Sequence, residues 1–255
     1  MHHLRTLSAA AAMAAMASAA IPANAQEAAR GSIEGDRIPT EQGDLVVQPI
    51  EHASFVMTWD GKTVYVDPVG GAERYGDLPA PDLILITHQH PDHLDAETLS
   101  AVAGDDTALV VTQTVHDALP PELRDNAEVM ANGDETTVAD LAIEAVPAYN
   151  TTEDRLQYHP KGRDNGYVLT LGDTRVYVAA DTEDTPEMRA QRDIDVAFVP
   201  MNLPYTMSVE QAADAVRAFR PGIVYPYHSR GSDIEEFARL VGQDSGVEVR
   251  VRDWY

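Results

Sequence analysis

Cysteine is absent from the 255-residue sequence, so the chain can form no disulfide and cannot be lipidated through an N-terminal cysteine. Basic residues are scarce, with 18 Lys and Arg against 42 Asp and Glu, and the net charge of −24 repels phosphate backbones. No apolar run after the first 25 residues is long enough to span a bilayer. These absences argue against general nucleic-acid binding, against a membrane-embedded domain and against a disulfide scaffold.

The N-terminus predicts a secretory signal. Arg5 is followed by an Ala-rich apolar stretch from about Leu7 to Ile21, and Ala-Asn-Ala ends at Ala25. We predict cleavage after Ala25, which removes one base and no acid and leaves a net charge of −25. Export without disulfides fits a periplasmic or secreted bacterial protein. Residues 26–43 are polar and aperiodic and predict a linker, so the predicted domain covers residues 44–255.

Short apolar runs recur through that domain and predict β-strands. Each is rich in Val, Ile and Tyr, and several are too continuously apolar to have a face in water; they are TVYVD, LILITH, ALVVTQ, YVLTL, RVYVAAD, VAFVPMN and GIVYPYH. Helices are predicted at DAETLSAVAG, SVEQAADAVRAFRP and SDIEEFARLVG. The last two begin with predicted capping boxes, Ser208 with Gln211 and Ser232 with Glu235, and the third helix stops at Gly242.

Polar residues with ligating potential stand at the ends of five of these runs: Asp67, His88, Asp181, Asn202 and His228. One such ending is an ordinary turn residue, but five predict a common rim. In layered α/β folds the carboxyl ends of strands form the crevice that binds ligands.

The segment from His88 to His93 has the pattern H-x-H-x-D-H. Directly after a strand, His88 and His90 can point to one side, while Asp92 and His93 are predicted at the start of the next helical turn, a short distance away. This spacing suits two adjacent cations, the first bound by the two leading imidazoles and the second by Asp92 and His93. Imidazole and carboxylate donors suit zinc, with manganese or iron as alternatives.

The segment resembles the metal-binding signature of the metallo-β-lactamase superfamily, and the resemblance extends over residues 48–255. EHASFVMTWDGKTVYVDP is similar to the opening strands of that fold, VYVAADTEDTPEM to the segment that supplies the metal-bridging aspartate, and VYPYHS to the last ligand strand. The resemblance implies that Asp181 bridges two divalent ions and that His228 is the final histidine ligand. It also implies a four-layer αββα sandwich and, most closely, the small single-domain hydrolases related to ascorbate-6-phosphate lactonase.

One ligand departs from the family pattern. Where the superfamily has another histidine, after IEAVPA, this chain has Tyr149 and Asn150. His159, in HPKG, is one candidate to complete the first metal site, and His52, in HASF, is another. A site without this ligand, and then a mononuclear enzyme, is the third possibility.

Other residues are predicted to surround the centre. Asp67 is expected to hold a ligand histidine through its free ring N–H. Lys161, Arg163 and Arg230 flank His159 and His228, where they are either solvated or one of them anchors an anionic substrate. Asn202 and Tyr205 are expected to line the pocket.

The resemblance implies a hydrolase in which a metal-bound hydroxide attacks a small ester, lactone or phosphoester, with Asp92 or a metal-bound water protonating the leaving group. A nuclease of this fold is disfavoured by the acidic charge, and a di-iron oxidoreductase by the lack of a flavin domain. An exported metal-binding protein with reduced or lost catalysis is the alternative that the Tyr149–Asn150 departure keeps open. The expected partner is a small molecule, with no nucleic acid and no membrane after signal cleavage; the oligomeric state is not predicted.

Overall fold

The computed structural model describes residues 33–255, so the predicted signal and the first part of the predicted linker lie outside the described residues. Two seven-stranded sheets dominate the fold. The first sheet follows chain order and consists of β1 (Asp36–Thr40), β2 (Gly43–Glu51), β3 (Ser54–Trp59), β4 (Lys62–Val66), β5 (Leu83–Leu85), β6 (Ala108–Val111) and β7 (Ala127–Val129).

The second sheet also follows chain order and consists of β8 (Glu135–Val138), β9 (Leu141–Ala148), β10 (Asp164–Leu171), β11 (Thr174–Val178), β12 (Val196–Pro200), β13 (Ile223–Tyr227) and β14 (Glu248–Val249). Six α-helices are described: α1 (Ala96–Val102), α2 (Gln113–Ala118), α3 (Pro121–Arg124), α4 (Pro186–Arg189), α5 (Val209–Phe219) and α6 (Ile234–Val241). Short 3₁₀ turns cover Ala72–Arg74 and Gln243–Ser245.

Both sheets have the same connectivity. In each, the first four strands are antiparallel and the fourth to seventh are parallel. The parallel strands therefore bring their carboxyl ends to one edge of each sheet. The polar residues predicted at strand ends lie one to three positions beyond β4, β5, β11, β12 and β13.

Alternation along the strands explains why their sequences are apolar throughout. In β12, Val196 and Phe198 enter the core between the sheets, whereas Ala197 and Val199 pack against the outer helices. Side chains of a strand point alternately to opposite faces, so a sheet covered on both sides needs apolar residues at every position. The first sheet is covered in the same way by α1–α3, through residues such as Leu99 and Leu123. The predicted four-layer αββα sandwich is confirmed.

The linker predicted for residues 26–43 is wrong over its described second half. Residues 36–40 form β1, which pairs with β2 in antiparallel register from Asp36–Val47 to Thr40–Gly43. The strand escaped prediction because it contains Pro39 and only one well-buried side chain, Ile38. As an edge strand it tolerates proline, which has no N–H to donate to a neighbouring strand.

Asp36 ties this edge strand to the end of the chain. Its carboxylate accepts hydrogen bonds from Tyr225 Oη, Arg250 Nη1 (3.1 Å) and Arg252 Nη2 (2.7 Å). Burial acts to raise the pKa of Asp36, but the bonds from Tyr225 and Arg252 outweigh it and lower the pKa below its ordinary value of 3.8. The charge of Asp36 therefore stabilises the fold at neutral pH.

We expect Asp36→Asn to lower the free energy of unfolding at pH 7 by about 2 kcal/mol, the typical contribution of hydrogen bonds to a charged group. Because the folded-state pKa is depressed, this contribution is complete above 3.8 and disappears as the pH falls through the folded-state value. Urea denaturation at pH 7 and at pH 3 checks this. Asp44→Asn, which removes only an exposed pair with Arg37, is the control. Equal losses at both pH values for Asp36→Asn would contradict the role of its charge.

The helix boundaries agree with the prediction at α5 and differ at α6. Ser208 and Gln211 form the predicted capping box. At α6 the N-cap is Asp233, which accepts from Glu236 N, whereas Ser232 donates its hydroxyl to Met201 O, so the predicted Ser232–Glu235 box is wrong. Within residues 33–255, no helix is both long and apolar enough to cross a bilayer.

Candidate metal centre

The loop after β5 carries four of the predicted ligands. His88 is fully buried, and a turn closed by the N–H groups of His93 and Leu94, both donating to His90 O, reverses the chain behind it. Asp95 then caps α1 by accepting from Glu97 N and Thr98 N. The prediction placed Asp92 and His93 in a helical turn, but the helix begins only at Ala96.

Thr87 and Asp67 fix the orientation of two imidazoles in this loop. The Thr87 hydroxyl donates to Asp67 Oδ2 (2.7 Å) and lies 3.0 Å from His88 Nδ1. Since its one proton goes to Asp67, Thr87 accepts the proton of His88 Nδ1, which leaves His88 Nε2 free. His93 Nδ1 likewise donates to Asp67 Oδ2 (2.7 Å), so His93 Nε2 is also free. Asp67 thus makes the histidine contact that the sequence predicts for it.

His88, His90 and His159 form the first donor group. His88 Nε2 lies 3.0 Å from His90 Nδ1, and the His159 ring is 5.0 Å from the His88 ring and 4.8 Å from the His90 ring, measured between centroids. The Nδ1 of His159 donates to Asp164 (3.0 Å), a fully buried carboxylate, so its Nε2 faces the group. The structure therefore brings His159, of the three possibilities, beside His88 and His90.

The loop 151–158 returns to its starting point, which explains how His159 replaces a residue nine positions earlier. Asn150 N donates to His159 O (2.8 Å), so the two residues lie side by side. The Asn150 amide also donates to Arg155 O and Tyr205 O, which closes the loop from within. Asn150 thus stabilises the loop, and His159 is the residue that brings an imidazole to the first donor group.

Glu183 holds the same loop against the strand end that carries Asp181. Its carboxylate is fully buried, accepts hydrogen bonds from Thr151 N and Thr152 N, both at 2.6 Å, and forms an ion pair with Arg155 Nη2 at 2.6 Å. Burial acts to raise the pKa of Glu183, but the bonds from Thr152 and Thr151 outweigh it and lower the pKa. Position 183 thereby couples the position of His159 to that of Asp181.

We expect Glu183→Gln to weaken binding at the first donor group by roughly 10–100-fold, the usual effect of losing an outer partner of a metal ligand. The amide keeps the shape of the carboxylate but loses its charge, so Arg155 remains without a counterion. Metal titration followed by elemental analysis measures this. Glu153→Gln, an exposed position in the same loop, is the matched control and should bind as the unmodified protein does. Identical metal affinities for both variants would show that Glu183 does not determine the position of the loop 151–158.

The second donor group lies on the other side of the first and consists of Asp92, His93 and His228. Asp181 lies beside both groups. His93 Nε2 is 3.4 Å from Asp181 Oδ1, and Asp181 Oδ2 is 3.4 Å from His159 Nε2 and 3.3 Å from His228 Nε2. His228 Nε2 is also 3.5 Å from Asp92 Oδ2. The Asp181 carboxylate therefore stands between the first donor group and the second.

Several buried polar atoms here make no hydrogen bond: His93 Nε2, Asp181 Oδ1 and both ring nitrogens of His228. Such atoms are costly unless a partner completes them. The nitrogen and carboxylate donors converge within 4.8 Å of one another, and a divalent cation bound among them would supply the partner that they lack. The residues present therefore fit bound divalent metal.

Burial and neighbouring charges favour the ligand form of His88 and Asp181, whereas at His93 burial is outweighed by Asp181 and Asp67, which raise its pKa well above the ordinary value in the metal-free protein. Burial and the neighbouring His93 lower the pKa of His88 well below its ordinary value, so His88 stays neutral. Burial also acts to raise the pKa of Asp181, but His228 and His93 outweigh it and hold the pKa well below its ordinary range. Asp181 is therefore a carboxylate at neutral pH.

His52 does not lie where it would complete the first group. It packs against His228, with ring centroids 3.8 Å apart, and its Nε2 lies 3.2 Å from Asp92 Oδ2. The suggestion that His52 replaces the missing ligand beside His88 is therefore wrong in this structure, because the turn between β2 and β3 faces the opposite side of the cluster.

The remaining predicted residues form the surroundings. Tyr149 is buried and donates to Glu187, and Lys161 is bound by both. Arg163 pairs with Asp164 and places its Nη2 3.5 Å from His90 Nε2. Three others lie on the rim: Arg230 over the Tyr255 ring, Asn202 after β12, and Tyr205 with its ring 5.0 Å from Tyr158.

Sequence reasoning missed Thr87, Asp164, Glu183 and Tyr255, which contact candidate ligands or the segments that carry them. Asp164 follows His159 by five positions with a glycine turn between them, and no sequence pattern relates the two. Glu183 is a weak exception, since DTED places it two positions after Asp181 at a strand end.

The fold and the cluster together define an αββα protein with a candidate metal centre, and its relatives identify it as a metal-dependent hydrolase of the metallo-β-lactamase superfamily. The sequence model described as "Beta-lactamase superfamily domain" matches residues 46–228, so the chain belongs to this superfamily. Among its relatives is a UPF0173 metal-dependent hydrolase from Pyrococcus horikoshii, 31% identical over 218 residues, which cover 80% of this chain and 95% of that protein.

Solved structures give the same result. A crystal structure of a metal-dependent hydrolase from Parabacteroides distasonis is 43% identical, superposes with a TM-score of 0.80, and is matched over 88% of this chain and 100% of that one. Igni18, a metallo hydrolase from Ignicoccus hospitalis, has a TM-score of 0.68 at 24% identity, over 82% of this chain and 95% of that one, and shows the fold alone. The predictions of family and of a metal-dependent hydrolase are confirmed.

Proposed function

We propose that the protein hydrolyses a small ester, lactone or phosphoester at a centre of two divalent metal ions. The observation that supports this most strongly is the set of buried donor atoms around Asp181 that lack hydrogen-bond partners. His88, His90 and His159 would hold the first ion, Asp92, His93 and His228 the second, and Asp181 both. Zinc suits this mostly imidazole donor set best, with manganese or iron as alternatives.

Two bound ions would supply a nucleophile from water at neutral pH and stabilise the oxyanion that develops on the substrate. The chain's own residues orient the ligands and move the proton. Asp67 and Asp164 fix the tautomers of His93 and His159, which keeps the Nε2 atoms available. Four of the histidines, His88, His93, His159 and His228, are almost fully buried, which limits the access of bulk water to their rings.

Asp92 is the proposed catalytic acid and base. Its side chain is 49% exposed, whereas that of Asp181 is 3% exposed, so Asp92 alone among these carboxylates reaches the substrate side. Burial acts to raise the pKa of Asp92, but His228 and His52 outweigh it and lower the pKa, so the group is ionised. It would take the proton of the attacking water and transfer it to the leaving-group oxygen.

The rim supports a small substrate with an apolar part. Leu156, Leu203 and Tyr205 are exposed on the two loops beside the cluster, and the Tyr158–Tyr205 contact joins these loops. Arg163, next to His90, offers a cation for an anionic group, as a phosphorylated lactone would require. A phosphorylated lactone as the substrate is a prediction that comes from the resemblance to ascorbate-6-phosphate lactonase. The acidic net charge disfavours nucleic acid as a substrate.

A screen of the purified protein loaded with zinc, manganese or iron tests the proposal. We expect two metal equivalents by elemental analysis, and turnover of p-nitrophenyl acetate, a generic lactone or bis-p-nitrophenyl phosphate that disappears with a chelator and returns with metal. Bound metal without turnover across a broad ester, lactone and phosphoester panel would favour the alternative, a metal-binding protein without catalysis. A chain that binds no metal would contradict both.

We propose, further, that residues 1–25 direct export and that the mature protein is periplasmic or secreted. The support is the charge, apolar and small-residue pattern of the sequence alone. Cell fractionation with mass spectrometry of the N-terminus tests this. A mature chain that starts at Gln26 outside the cytoplasm is expected, and an intact chain in the cytoplasm would contradict it.

A further inference from the structure

Hydrogen bonds around the Tyr255 hydroxyl determine where its proton lies. The oxygen accepts from Ser229 N (2.7 Å) and from Arg230 N (2.8 Å), and it lies 3.0 Å from His52 Nδ1. A phenolic oxygen has two lone pairs, and the two backbone N–H groups occupy them. The hydroxyl proton must therefore be donated to His52 Nδ1.

This assignment fixes the tautomer of His52. With Nδ1 as an acceptor, the ring carries its proton on Nε2, which lies 3.2 Å from Asp92 Oδ2. A doubly protonated ring is excluded by the same count, because its Nδ1–H would need a third lone pair on the Tyr255 oxygen. His52 therefore donates to Asp92, and its Nε2 has no free lone pair for a cation.

We propose that Tyr255 and His52 are positioning residues that hold the Asp92 carboxylate in place, and that His52 is not a metal ligand. The role of Asp92 at the second ion rests on the proposed function, whereas the tautomer of His52 does not. Two histidines face the Asp92 side chain, and His52 is the nearer, with its Nε2 3.2 Å from Asp92 Oδ2 against 3.5 Å for His228 Nε2. A half-exposed carboxylate on a turn would otherwise be free to change rotamer.

The backbone supports the same pair. His52 N donates to Trp254 O (2.8 Å), and His228 N donates to His52 O (3.1 Å). Both histidines have positive φ angles, 53° for His52 and 44° for His228, a region that residues other than glycine rarely occupy. Such conformations persist only where surrounding contacts enforce them. Residues 254 and 255 thus stabilise His52 and His228 side by side.

Long-range ¹H–¹⁵N NMR of ¹⁵N-histidine-labelled protein tests the tautomer directly, with the His52 signals assigned by their loss in His52→Gln. We expect a proton on His52 Nε2 in the metal-free protein and the same proton after zinc is added, while His228 changes its shifts. A His52 ring protonated on Nδ1, or a His52 Nε2 that loses its proton to zinc, would overturn the proposal. The metal-free spectrum decides even if the protein binds no metal, so failure of the proposed function is separately visible.

Metal affinity tests the positioning role. We expect His52→Ala to weaken the second zinc equivalent by about 10–100-fold and to leave the first unchanged, as for other outer partners of a metal ligand. His52→Gln, whose amide can still donate to Asp92, should recover most of this affinity, and Tyr255→Phe should fall between the two. His116→Ala, on α2 and away from the cluster, is the control. Equal and complete loss in the Ala and Gln variants, or no loss in either, would refute the positioning role.

Discussion

Asp181→Asn is expected to remove most of the bound metal and to lower hydrolysis by about 10³-fold or more. Metal ions contribute several kcal/mol of transition-state stabilisation at such centres, and each 1.4 kcal/mol corresponds to about a tenfold rate. The two oxygens of Asp181 face His93 on one side and His159 and His228 on the other, so its charge serves both donor groups. An amide cannot balance two cations.

The fold should survive this substitution, because Asp181 follows β11 by three residues and lies outside the apolar clusters. Elemental analysis, steady-state kinetics and thermal denaturation in chelator are the measurements. Asp184→Asn makes the same chemical change three positions later, where the carboxylate pairs with Arg189, and should retain metal and activity. Unchanged metal content in Asp181→Asn would exclude the bridging role.

His159→Ala is expected to remove one metal equivalent and to lower activity by at least about 10²-fold, the upper end of the effect of losing even an outer partner of a ligand. Its ring faces His88 and His90, and its Nδ1 is held by Asp164, so alanine leaves the first group with two imidazoles. Three protein ligands and one open position are what a catalytic zinc needs.

Metal titration distinguishes this effect from general damage. His116→Ala, a histidine of α2 outside the cluster, should keep both equivalents. Because Asp164 would lose a hydrogen-bond donor in His159→Ala, some thermal destabilisation is expected as well, and His159→Asn restores a donor without a good ligand. If His159→Ala still bound two metal ions with full activity, the first site would have to draw its third ligand from elsewhere.

Local sequence signals predicted most of the buried strands, and together with the family resemblance they predicted the layers of the fold. The runs around Ile84 and Val199 are apolar at every position because each strand contacts a sheet on one side and helices on the other. The edge strand β1 has no such pattern, and Asp36 holds it through partners that lie about 190 to 220 positions later. Long-range bonds of this kind leave no local signal.

The candidate metal centre shows the same difference between local sequence patterns and long-range contacts. The spacing from His88 to His93 predicts a cluster because a single turn is enough to assemble it. His159 was one of three possibilities, since its position depends on Glu183 and Asn150 holding a loop whose sequence has no regular pattern. His52 was another of the three possibilities, and its position beside His228 could not be predicted because the partner that orients it, Tyr255, is 203 positions away.

Both donor groups draw on both sheets. Residues up to 129 build the first sheet and those from 135 onward the second, and His88, Asp92 and His93 must meet His159, Asp181 and His228 across the joint. No donor group can exist before the two halves of the chain have docked. Metal affinity and docking are therefore one equilibrium, in which ligand at 100 times its Kd adds about 2.7 kcal/mol to the closed form. The supply of the ion would then control how long the molecule survives as well as how fast it works, because the metal-free protein lacks this added stability.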